Sequence, residues 1–142
     1  MPSLNDKIDT WIFDLDNTLY SADSGIFQQV NDLMGKFVSK HLNVEIKKAN
    51  EIQRKYYKQH GTTLRGMMDN HGVDPEYFLK EVHKLDYSIV VSNKKLNEEL
   101  KKLNGRKIVY TNANLQHTLN VLDRIELSNF FDNIFDIKMA NY

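Results

Sequence analysis

Asp14 and Asp16 stand one residue apart in WIFDLDNTLY (residues 11–20), directly after the apolar run Trp11, Ile12, Phe13. Burying charge costs several kcal/mol unless the group is paired or bound to metal. Two carboxylate-bearing residues at a strand tip can be held ionised by a hard divalent cation, and magnesium takes oxygen ligands while keeping several waters. A phosphate beside that ion is open to attack by one carboxylate, which gives an aspartyl phosphate. The second aspartate, two residues on, clears the strand; it can protonate the leaving oxygen and then deprotonate the incoming water. A calcium-binding EF-hand loop starting at Asp14 fails, because Leu19 and Gly25 stand where glycine and glutamate are required. A plain solvated strand-to-turn junction is the other reading of the pair. The apolar run before it and Asn17-Thr18 after it favour a site.

These side chains need a scaffold that brings strand ends together. Residues 8–15 (IDTWIFDL) predict a short buried strand. From residue 24 the period changes: Ile26, Phe27, Val30, Leu33, Met34, Phe37 and Val38 recur at helical steps. Asn43 is the expected cap of a second helix carrying Ile46, Ala49, Ile52 and Tyr56 and stopped by Gly61. A short helix over 63–71 ends at Gly72, and Asp74-Pro75 opens another that buries Phe78, Leu79 and Val82. Asn93 caps a helix with Leu96, Leu100 and Leu103, closed by Gly105. RKIVYTNA (106–113) is a second strand that ends at Thr111. A helix with Leu115, Leu119, Leu122 and Ile125 on its inner face follows, then a third strand, NIFDI (133–137). One strand, a helical stretch, then strand–helix–strand predicts a parallel α/β sheet with a helical insertion after its first strand. Ligands in such sheets sit at the carboxyl ends of the strands, where Asp14, Asp16 and Thr111 would lie.

Composition narrows the alternatives. The chain has 142 residues, 41% hydrophobic and 27% charged, with 19 basic and 19 acidic side chains. No global field recruits nucleic acid or an anionic membrane. There is no cysteine, hence no disulfide and no thiolate metal site, in keeping with a reducing compartment. No run approaches the ~18 apolar residues of a membrane span, and the polar N-terminus lacks a signal-peptide pattern, so a cytoplasmic location is expected. His41, His60, His71, His83 and His117 are scattered without an i, i+4 pair, which argues against a zinc site.

FDLDNT (Phe13–Thr18) resembles the first signature of the haloacid dehalogenase (HAD) superfamily, and VYTNA (Val109–Ala113) resembles its second. GTTLRGMM (Gly61–Met68), HGVDPEYFLKEVH (His71–His83), GRKIVYTNA and VLDRIELSNFFDNIFDI are similar to its pyrimidine 5′-nucleotidase branch. The resemblance implies a HAD-like Rossmannoid core over 1–21 and 93–142, and a helical cap over 22–92 that selects substrate. It implies Asp14 as nucleophile and magnesium ligand. Asp16 becomes the general acid/base, with its main-chain carbonyl on the metal. Thr111 and the Asn112 N–H become phosphate donors. Arg65, in the cap after GTTL, becomes a candidate for reaching a substrate phosphate or base through its fork of donors. An aspartate at the plus-two position speaks against the dehalogenase branch itself. The implied activity is magnesium-dependent hydrolysis of a nucleoside monophosphate.

The family also uses a lysine and an acidic motif, both expected after a segment like FDIKMANY. Lys138 precedes the expected lysine, and Asp132 and Asp136 come too early for the acidic motif. The expectation is therefore a core lacking its C-terminal part, with the first strand paired on one side only. Such a chain is expected either to pair that edge with a second copy or to be poorly stable and aggregation-prone, and to show little activity alone. The competing reading is an inactive HAD-like chain that binds a nucleotide or a protein.

Overall fold

β-Branched and aromatic residues in TWIF, RKIVY and NIF favour extended backbone, and they form the three strands of the computed structural model, which describes residues 7–142. These are β1 (Thr10–Phe13), β2 (Arg106–Tyr110) and β3 (Asn133–Phe135). Both pairings are parallel and the order is β1-β2-β3. Phe13 stands opposite Val109, and Tyr110 opposite Phe135, so the three carboxyl ends share one edge of the sheet.

β1 is shorter than residues 8–15 and is not buried. Thr10 and Ile12 are exposed while Trp11 and Phe13 are half-covered. The physical reason is position: among the described residues β1 pairs only with β2, so it is an edge strand with one solvated face. Past Phe13 the Leu15 N–H donates to the Asp14 carboxylate (2.8 Å) instead of to a neighbouring strand. Leu15 O then accepts from Thr18 and Leu19 N–H to close a turn in which Asn17 takes a positive φ of 58°.

The chain divides into two units. Among the described residues one holds 7–25 together with Tyr87–Asn141; the other is Ile26–Asp86. In the first, α5 (Lys94–Lys101) starts at Asn93, whose side chain accepts the Leu96 N–H. Gly105 then turns into β2 with φ +87°, where a Cβ would lie 2.6 Å from the Asp9 carbonyl oxygen. Only glycine fits that approach. α6 (Leu115–Arg124) is capped by Asn114, which accepts from His117 N–H. Its inner face differs from the leucine stripe expected: Leu115 and Leu119 are exposed, whereas His117, Thr118, Val121 and Leu122 are buried, with Ile125 beyond the helix end. Leu122 and Ile125 of the expected stripe are buried, but polar His117 and Thr118 take the inner positions in place of Leu115 and Leu119.

The second unit is helical: α1 (Ile26–Leu42), α2 (Ile46–His60), α3 (Thr63–His71) and α4 (Pro75–Val82). Gly61, Gly72, Asp74 and Pro75 act where the sequence places them. Asn43 does not cap α2; it adopts φ 52° just after α1, and Glu45 is the N-cap without a side-chain bond. An asparagine that tolerates the left-handed region serves a helix end as readily as a start. Gly66 lets α3 approach α2, since a Cβ there would lie 2.4 Å from the Tyr56 side chain. Phe37 and Phe78 meet edge-to-face at 4.8 Å, so these aromatics are packing residues. Among the described residues no helix is long and apolar enough to cross a membrane.

Asp136, just past β3, is buried and accepts from Leu115 N–H (3.0 Å) and Met139 N–H (3.1 Å). It fastens the start of α6 to the end of β3. Asp136→Ala leaves two donors without their acceptor, an expected loss of about 1–3 kcal/mol. Urea unfolding checks this, and an unchanged midpoint would refute the fastening role.

Candidate active site at the strand ends

The parallel sheet carries Asp14 and Asp16 past the end of β1 and Thr111 past the end of β2, on the same edge. Asp14 is exposed, with its Oδ1 accepting from Leu15 N–H. Thr111 is buried; its N–H donates to Phe135 O (3.0 Å) and its Oγ1 accepts from Ala113 N–H (3.1 Å). An accepting hydroxyl keeps its proton for donation to another group. Asn112, exposed, follows it in the turn that leads to α6. The carboxyl edge thus brings together four of the five residues singled out in the sequence.

Arg65 lies in the other unit, on α3. Its guanidinium pairs with Asp69 one turn on (3.0 Å), and His60 Nδ1 contacts the same carboxylate (3.1 Å). Thr62 before it is a cap, accepting from Arg65 N–H (3.0 Å).

Asp16 is engaged through one carboxylate oxygen by two side chains. Its Oδ1 accepts from the Tyr20 hydroxyl (2.6 Å) and meets His117 Nε2 (2.8 Å). His117 Nδ1 in turn contacts the Tyr87 hydroxyl (2.9 Å), and the imidazole is fully buried. Burial pushes the Tyr20 phenol far above its ordinary pKa, and the neighbouring Asp16 charge and hydrogen bond add to it. Burial also raises Tyr87, with the Asp16 charge adding and a hydrogen bond with Asn120 opposing. Both phenols therefore remain O–H donors at neutral pH. Asp16 Oδ1 already accepts from Tyr20 and accepts from the imidazole too, so Nε2 carries a proton and Nδ1 accepts from Tyr87.

Among the described residues no three His, Cys, Asp or Glu side chains converge as a metal cluster. Asp132 and Asp136 are committed to main-chain N–H groups, of Lys107 (2.7 Å) and of Leu115 and Met139. The oxygens that could hold a metal at the β1 end, the Asp14 carboxylate and the Asp16 main-chain carbonyl, are of the kind magnesium takes when water and phosphate supply the rest.

No family model matches the sequence. Among solved structures the chain is similar to YfnB of Bacillus subtilis, described as a HAD-hydrolase and crystallised with magnesium. Identity is 13%, the match covers 94% of this chain and 67% of that one, and the TM-score is 0.50. The fold is HAD-like. In a HAD-like sheet of this order the edge that carries Asp14, Asp16 and Thr111 is where ligands of parallel α/β folds bind.

His117, Tyr20 and Tyr87 were not singled out as site residues in the sequence. A signal for His117 did exist: at the third position of the helix after VYTNA it shares a face with Val121 and Ile125. A histidine within such a buried stripe needs polar partners. Tyr87 comes from a distant segment, and nothing local marks it.

Proposed function

We propose that this chain carries a magnesium-dependent phosphomonoester hydrolase site that acts on a nucleoside monophosphate through an aspartyl-phosphate intermediate. The observation that carries the reading is the pair Asp14 and Asp16 at the end of β1, next to Thr111 at the end of the adjoining parallel strand. Magnesium, when held by the Asp14 carboxylate and the Asp16 main-chain carbonyl, supplies positive charge against the phosphate dianion.

An Asp14 carboxylate oxygen attacks phosphorus; the bond to the ester oxygen breaks, and that oxygen leaves with a proton from Asp16. Water then attacks the aspartyl phosphate, gives its proton to Asp16, and releases inorganic phosphate and free Asp14. The Thr111 hydroxyl and the Asn112 N–H donate to the phosphoryl oxygens as charge builds there. The first step is nucleophilic catalysis and the proton transfers are general acid/base catalysis. A panel of nucleoside monophosphates assayed with magnesium on the purified chain tests the reading, with the little activity expected of it read against Asp14→Asn as the blank. Hydrolysis unaffected by removal of magnesium, or none above that blank on any phosphomonoester, would overturn it.

The choice of a nucleotide, and of pyrimidines within that class, rests on the likeness of GTTLRGMM and HGVDPEYFLKEVH to the nucleotidase branch. Arg65 is the cap residue assigned to recognition. Losing a charge-assisted bond costs ~1.5–3 kcal/mol, so Arg65→Ala should raise KM for nucleotides at least about tenfold. An aryl phosphate that lacks the base and sugar should be much less affected. The exposed Arg65–Asp69 pair contributes little stability. Equal losses on both substrates, or a large fall in Tm, would assign Arg65 to the helical unit's fold instead.

A further inference from the structure

We propose that His117 is a positioning residue for Asp16: with its tautomer set by Tyr87, it holds the Asp16 carboxylate, together with Tyr20, in the orientation the proton transfers require. The inference rests on the reading of Asp16 as acid/base.

Three observations carry it. Tyr20 and His117 both contact Asp16 Oδ1, at 2.6 and 2.8 Å. Two donors on one oxygen fix the side-chain torsion. The imidazole is fully buried and engaged at both nitrogens, so it cannot rotate without losing two hydrogen bonds inside the protein. Its backbone is equally fixed, because His117 N–H donates to the cap residue Asn114 (2.9 Å), and Asp136 anchors the same helix start.

The arrangement also has a direction. Tyr87 O–H donates to Nδ1, Nε2–H donates to Asp16, and Tyr20 O–H donates to the same oxygen. An aspartate in a turn after a strand has free rotation about Cα–Cβ unless something of this kind restrains it. A buried histidine here is thus accounted for by function: an apolar residue of similar volume would fill the core but leave Asp16 unrestrained.

The test combines a spectroscopic and a kinetic measurement on the full chain. Nitrogen-15 spectra of the imidazoles should show His117 with a slowly exchanging proton on Nε2. That signal should shift in Asp16→Asn, while Tyr87→Phe should admit the Nδ1–H form. An Nδ1–H tautomer in the wild type, or a His117 signal indifferent to Asp16→Asn, overturns the link.

On phosphomonoesters, His117→Ala should lower kcat about 10- to 100-fold with KM changed less than about twofold. His117→Gln, whose amide N–H replaces the Nε2 donor, should recover most of the loss, and Tyr87→Phe should lower kcat more mildly. In an Asp16→Asn background, His117→Ala should cost little more. A full additional loss in that background, a change confined to KM, or no rescue by a folded His117→Gln would overturn the positioning role. Absence of hydrolysis by the wild-type chain with the Nε2–H signal in place overturns the phosphatase reading and leaves the His117–Asp16 link standing.

Discussion

Asp14→Asn is expected to lower magnesium-dependent turnover on the order of 10⁴-fold or more, with no labelled protein intermediate left behind. The amide is a poor nucleophile and a weaker ligand for a hard cation, so both the bond-forming step and the charge that assists it are lost together. Groups that act as a unit lose nearly everything when one is removed. Because Asp14 is exposed and makes its local hydrogen bond through Oδ1, which an asparagine side-chain oxygen reproduces, the fold should be unaffected. Steady-state hydrolysis of an aryl phosphate and acid-quenched phosphate labelling are the measurements. Near-normal turnover would remove the aspartyl-phosphate mechanism from consideration.

Asp16→Asn should also stop turnover, but at a different point. General acid/base groups contribute roughly 10²–10⁴-fold. With a good leaving group such as para-nitrophenolate the first step needs little acid, so Asp14 still becomes phosphorylated. The second step needs the water deprotonated and now lacks its base. A burst of one equivalent of phenol followed by a stalled steady state is the expected trace, with phosphate retained on the protein. Alkyl substrates, whose leaving oxygen does need a proton, should show no burst. Equal behaviour with both leaving groups would contradict the assigned role. Asp16→Asn also disturbs the Tyr20 and His117 contacts, so a modest loss of stability should accompany it.

What the sequence could disclose, and what it could not, divides along physical lines. Local chemistry was legible: Asp74-Pro75, Gly61, Gly72 and Asn93 act through their own backbone and need no distant partner. So was the parallel order, because strand–helix–strand leaves few alternatives. The exposure of β1 was not legible, because the residues in TWIF suit either a central or an edge strand and only the pairing decides. Nor was the role of Asn43, because one residue type serves both ends of helices. For the candidate site, Asp14, Asp16, Thr111 and Asn112 are marked by their place after apolar runs. The Tyr87–His117–Asp16 chain is not, since its members come together only once segments 30 and 101 positions apart have met.

The helical insertion has a consequence for the order in which the molecule assembles. Trp11, the single tryptophan, donates its indole N–H to the Asn104 carbonyl (2.8 Å) across 93 positions of sequence. β1 can dock on β2 only after that loop closes, whereas β2, α6 and β3 are near neighbours along the chain. Loop closure is an entropic toll that non-local contacts repay late, and distant pairings are the slow ones. In a refolding experiment, helix formation followed by far-ultraviolet circular dichroism should therefore run ahead of the Trp11 fluorescence change. Coincident traces would mean that the edge strand joins in the first cooperative event. If the traces separate, the two aspartates at the end of β1 are among the last side chains to reach their places. The acid/base apparatus would then be completed by the final step of folding.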